Sequence, residues 1–130
     1  MSDPVIFISH FRIKEGALDT VRRMSVEVPR RLEAEKPRTA VFLSFLDQEG
    51  TEVSFVHAFA DSDAMDLHFE GADERARAAY ESVTPLGWEV YGSPSDAGLQ
   101  ALRQAAEGAG VPLTVRPAFL GGFLRSAAAS

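Results

Sequence analysis

Three short runs in this chain, VIFI at 5–8, AVFLSFL at 40–46 and FVHAF at 55–59, are apolar with almost no alternation. A strand points successive side chains to opposite faces, so a sheet with one wet face alternates apolar and polar residues. Unbroken apolar runs belong to sheets covered on both sides. Helices of the same chain can cover one face. Something further must cover the other.

The order of elements shows how the helices are shared out. Pro4 precedes VIFISHFRI (5–13), a β-rich run bounded by Lys14, Glu15 and Gly16. In ALDTVRRMSVEVPRRLEAE (17–35), Leu18, Val21, Ser25, Val28 and Leu32 recur at helical spacing as one stripe. Pro29 lies inside that stripe and is expected to kink the helix or end its first segment. TAVFLSFL (39–46) and VSFVHAFA (53–60) flank DQEGTE, a hairpin connection carrying Gly50. Asp61 or Ser62 can cap the next helix, which carries Met65, His68, Phe69, Ala72, Ala76, Ala79, Tyr80 and Val83 on one broad side. Gly71 is placed to break that helix in two, and Thr84-Pro85 to stop it. LGWEVYG (86–92) reads as a fourth strand.

The pattern β-α-β-β-α-β over residues 1–92 is the ferredoxin-like arrangement of the α+β class, an antiparallel sheet with both helices on one face. Residues 93–130 add a helix, DAGLQALRQAAEGAG (96–110), and an extended run, VPLTVRPAF (111–119), expected to pack on the same domain or on a partner subunit. The tail RSAAAS is expected to fray. A second copy of the sheet would cover the open face, giving a homodimer whose two sheets meet as a dimeric α+β barrel. The rival arrangement folds helix 96–110 back over the open face of its own subunit.

Composition narrows the partners. The chain has 130 residues, a net charge of −6 and a pI near 5.0, and its basic residues are scattered, so nucleic acid is not an expected partner. It has no cysteine, which removes disulfides, thiolate metal sites and a cysteine nucleophile together. No apolar run approaches a membrane span, and MSDPVIFISHF lacks the charged start and cleavage site of a secretion signal. A cytoplasmic protein is expected. GxSxG, P-loop and GxGxxG motifs are missing from the sequence.

GTEVSFVHAFADSDAMDLHFEG (50–71) resembles the antibiotic biosynthesis monooxygenase group of dimeric α+β barrels, as does the opening VIFISHFRIKEGALDTV (5–21). In that group a corner aspartate, an alanine and a helical histidine follow the third strand; here they match Asp61, Ala64 and His68. The resemblance covers roughly residues 5–92 and implies the same fold and dimer. It also implies an oxygenase that uses no cofactor and no metal, acting on a small aromatic phenol, quinol or anthrone. Two departures stand out. His57 and Phe59 occupy positions where the group has an acid and a tryptophan, and the chain contains no asparagine, a residue on which polyketide-oxidising and haem-degrading members depend.

His57 is the candidate catalytic residue. Alternation places Val53, Phe55, His57 and Phe59 on one sheet face. If that face meets the helices, a neutral imidazole there can take a phenolic proton and leave an electron-rich anion that reduces O₂ directly. A buried histidine bonded to a neighbouring strand is the plain alternative. His10, Phe59, His68 and Trp88 are the candidate ligand-binding residues. Whether His10 shares a face with His57 depends on a strand register that a one-residue slip would reverse. Tyr91 alternates away from Trp88, towards the expected dimer face. The three histidines form no HxH or HxxxH pair, so no metal site is expected. Two other functions suit the same scaffold: a non-catalytic barrel that binds a small hydrophobic ligand, and an isomerase or cyclase using His57 as base.

Overall fold

The computed structural model describes residues 3–125, so the terminal expectation for RSAAAS falls, from residue 126 on, outside the described residues. The elements in order are β1 (Val5–Ile13), α1 (Leu18–Glu35), β2 (Thr39–Leu46), β3 (Glu52–Phe59), α2 (Ser62–Phe69), α3 (Ala72–Ala79), β4 (Val83–Tyr91), α4 (Asp96–Ala109) and β5 (Leu113–Arg116). They form one open sheet in the order β2-β3-β1-β4-β5. The first four strands pair antiparallel, which is the ferredoxin-like core, and β5 adds parallel to β4.

All the helices that pack on the sheet do so on one face. Val5, Phe7 and Phe59 meet Ala64 and Met65 of α2 and Leu102 and Ala106 of α4 in one cluster. Phe11 and Val53, on the same face, meet Val21 of α1 in a second. Along β1 the odd residues Val5, Phe7, Ser9 and Phe11 are therefore buried, whereas Ile6, Ile8 and His10 are half-buried on the other side. Because α4 joins the helical layer, it does not fold over the open face. That face is left with Leu43 50% and Phe45 57% exposed.

Local chemistry accounts for most boundaries. Asp47 ends β2 and accepts from the backbone N–H groups of Thr51 (2.8 Å) and Glu52 (3.0 Å), tying the hairpin together. Gly71 adopts φ 80° and separates α2 from α3, a conformation glycine enters without a Cβ clash. Helix α1 runs through Pro29 rather than ending there, since buried Val21 and Leu32 hold it to the sheet on either side. Strand β4 starts at Val83, before the residue expected to stop a helix. Pro85 is accommodated beside a bulge at His10/Phe11 and outside the Trp88–Tyr91 stretch that β5 pairs, where a strand tolerates proline. The run expected over 111–119 pairs only from Leu113 to Arg116, because that stretch is the length of β4 edge it meets.

Asp61 holds the corner between β3 and α2. Its Oδ1 accepts from the Ala64 backbone N–H at 2.8 Å, and both carboxylate oxygens accept from Arg38 at 2.9 Å. Asp61→Ala removes the cap and leaves Arg38 without that partner. An expected loss of about 1–2 kcal/mol follows from the cap alone, read as a lower urea midpoint at unchanged slope.

Candidate active site

Strand pairing builds the site. The register sets His57 of β3 opposite Phe7 of β1 on one side and Phe42 of β2 on the other. All three point to the helical layer, where His68 of α2 comes down on them. The His57 ring lies 4.7 Å from Phe42, 5.1 Å from His68 and 5.3 Å from Phe7 between centroids. Phe59 stacks against His57 at 6.2 Å and packs on His68 at 5.3 Å. Two imidazoles thus share one aromatic box, 6% and 2% exposed for His57 and His68.

Each ring is oriented by one bond. His57 Nδ1 lies 3.2 Å from the Phe7 carbonyl oxygen. A carbonyl only accepts, so the proton sits on Nδ1 and the lone pair on Nε2. His68 Nδ1 bonds the Thr39 hydroxyl at 2.7 Å. Among the described residues Nε2 of neither ring has a hydrogen-bond partner. Both rings are neutral near pH 7. Burial pushes His57 down to about 4, helped by the Arg75 charge and opposed by the Phe7 carbonyl. Burial likewise takes His68 to about 3, with His57, Arg75 and Lys36 adding to the effect. Arg75 is fixed nearby, donating to the carbonyls of His68 (2.6 Å) and Glu70 (3.1 Å) across the Gly71 break.

These shifts make stability depend on pH. Between the ordinary histidine value of 6.5 and about 4, the unfolded chain takes up a proton that folded His57 refuses. The stabilisation is complete above that window and disappears as pH falls through it. Each ring contributes at most about 1.4 kcal/mol per pH unit. Denaturant midpoints are expected to fall on acidification across the window, and less steeply in His57→Gln.

A cleft of about 240 Å³ opens beside the pair, lined by Lys36, Arg38, Thr39, Ala64, Leu67 and His68. His68 forms its inner wall, and His57 lies behind His68. Lys36 caps the end of α2, donating to the carbonyls of Leu67 (2.8 Å) and Glu70 (3.1 Å).

Of the residues singled out in the sequence, His57, His68 and Phe59 are brought together. His10 is not: it pairs with Ser54 and so points to the open face. There its Nδ1 bonds the Ser54 hydroxyl at 2.7 Å, and its Nε2 meets Glu89, whose other oxygen accepts from Tyr91. Trp88 is also apart from the pair, buried beside Leu102 and Ala106 under α4. Thr39, Phe42, Lys36 and Arg75 were not singled out. Phe42 was the accessible one, since a hairpin register that faces it to His57 follows once the turn is counted. Among the described residues no three of His, Asp and Glu gather as metal ligands.

The fold is one that solved putative antibiotic biosynthesis monooxygenases share, as the sequence resemblance implied. Solved structures carry the assignment. MupZ from Pseudomonas fluorescens superposes with a TM-score of 0.71 at 15% identity, over 95% of this chain and 96% of that one. A putative antibiotic biosynthesis monooxygenase from Deinococcus radiodurans gives 0.59 at 17% identity, over 70% and 93%. SnoaB, a cofactor-independent oxygenase from Streptomyces nogalater solved as a mutant, gives 0.55 at 14% identity, over 72% and 96%. No family model and no curated protein matches the sequence. At these identities the likeness concerns the fold, and activity has to be argued from the site.

Proposed function

We propose that the protein oxidises a small aromatic phenol, quinol or anthrone with O₂ and without a cofactor, His57 taking the substrate proton. The observation that carries this is the fixed tautomer of His57, whose Nε2 lone pair is left unbonded within an aromatic box. For an anthrone the balance is R₂CH₂ + O₂ → R₂C=O + H₂O. His57 removes a proton, the carbanion gives one electron to O₂, and the radical pair joins as a carbon peroxide. The protonated His57 returns its proton to the peroxide, and loss of water then leaves the ketone. His68, Phe59 and Phe42 would wall the substrate and exclude water.

The basicity of His57 sets the energetic demand. Moving a proton from a phenol near pKa 10 to an imidazole at about 4 costs roughly 8 kcal/mol with each group taken alone. Attraction between the two new charges in an apolar site lowers that cost. The positive charge of Arg75, which disfavours an imidazolium at His57, also favours a phenolate. A turnover of about 10 s⁻¹ corresponds to a barrier of about 16 kcal/mol, so the step fits within it.

The same low basicity favours a second reading, a dimeric barrel that binds a hydrophobic ligand and transforms nothing. An isomerase or cyclase would convert its substrate with no demand for O₂. Oxygen uptake by chelator-treated protein, over a panel of quinols and anthrones, separates the three. Uptake supports the oxygenase, conversion without uptake the isomerase, and saturable binding alone the binder.

The assembly we propose is a homodimer through the open face. Ile6, Ile8, Leu43, Phe45 and Val56 form its apolar part, and α4 is committed elsewhere. An apolar face of that extent is covered in most soluble proteins. No helix among the described residues is long and apolar enough to cross a membrane.

A further inference from the structure

Helix α1 touches the sheet firmly at two points only. Val21 and Leu32 are buried, whereas Met24, Ser25 and Val28 between them are half-buried. Beneath that middle stretch Phe42 and Phe55 are half-buried too, although they face the helical layer. The gap widens near the start of α1 into a cavity of about 300 Å³, bounded by Val21, Ser25, Val26, Ser44, Leu46 and Val53. Among the described residues the Ser44 hydroxyl is the only side-chain oxygen or nitrogen that is both fully shut off from solvent and without a hydrogen-bond partner. Folded chains satisfy nearly all such groups, and a lone exception on a cavity wall calls for a partner from outside the chain.

Register ties this hydroxyl to the histidine pair. Ser44 lies opposite Phe55, and Phe42 opposite His57, so Ser44 and His57 are diagonal neighbours on one face. We propose that the cavity between α1 and β2 holds one end of an aromatic molecule, whose oxygen substituent hydrogen-bonds Ser44 while its ring lies over Phe42 and Phe55 towards His57. The inference rests on the reading of the aromatic box at His57 as the ligand site and adds a second anchoring point to it. It selects ligands by class: flat and apolar, with a hydroxyl or carbonyl at the end remote from the histidines. A hydroxyl can donate or accept, so Ser44 serves either substituent. Arg22, which also borders the cavity, is exposed, so Ser44 supplies the buried polar contact.

Binding of 1-naphthol and of naphthalene, followed by probe fluorescence and amide chemical shifts, tests this in the full chain. Wild type is expected to prefer 1-naphthol by about fivefold, the worth of one net hydrogen bond. Shifts are expected at Val21, Ser25 and Val53. Ser44→Ala is expected to abolish the preference, to keep naphthalene binding and to melt at a higher temperature, having lost an unsatisfied hydroxyl. His57→Gln is expected to retain the preference, so a failed proton-transfer reading would leave this result standing. A preference that survives Ser44→Ala overturns the proposal. So does the failure of both probes to bind, or shifts confined to Lys36, Thr39 and His68.

Discussion

Replacing His57 by glutamine is expected to reduce oxygen uptake by roughly 10²–10⁴-fold, the usual contribution of a general base. Glutamine retains an N–H that can meet the Phe7 carbonyl and occupies a similar volume, so the aromatic box should survive. What it lacks is a basic lone pair at the position of Nε2. The loss should therefore fall on kcat, with KM little changed, because the phenyl walls that hold the substrate are intact. His68→Gln provides the contrast. His68 is tied to Thr39 and adjoins the cleft, so its loss should raise KM more than it lowers kcat. Equal activity in wild type and His57→Gln would end the proton-transfer mechanism, whatever the substrate.

The second large effect concerns assembly. Phe45→Asp is expected to convert the proposed dimer into a monomer of 14.1 kDa, read by sedimentation at micromolar concentration. Phe45 is 57% exposed in the single subunit, so the change should leave the subunit's own fold nearly untouched. In a two-fold interface, however, each copy would bury an unpaired carboxylate, at several kcal/mol, weakening association roughly a thousandfold or more. The row Ser54–His10–Glu89–Tyr91 does not have this difficulty, because its members already bond one another within the subunit. A wild-type chain that sediments as a monomer would overturn the dimer.

Periodicity made much of this fold legible. The first two strands and the corner at Asp61 fall where apolar runs and turn chemistry put them, because those signals are local. Register was not legible: His10 pairs with Ser54 instead of a residue one place on, and that single step moves it to the far side of the sheet from His57. Trp88 shows a different limit. Its strand was evident, yet its neighbours are Leu102 and Ala106, supplied by an extension whose docking no local pattern encodes. The low basicity of the histidines was equally hidden, since it arises from burial by Phe7, Phe42 and Phe59, which come from three different strands.

The alternation along β1 has a consequence for how such a protein can diverge. Val5, Phe7, Ser9 and Phe11 face the helical layer, and Ile6, Ile8, His10 and Arg12 whatever meets the opposite face. Adjacent codons in one strand thus answer to different selective demands. Point substitutions can retune the ligand while leaving assembly alone, or the reverse, but a one-residue insertion within β1 would exchange the two sets at once. Variation in this strand should accordingly accumulate as replacements of alternate residues, with its length held constant.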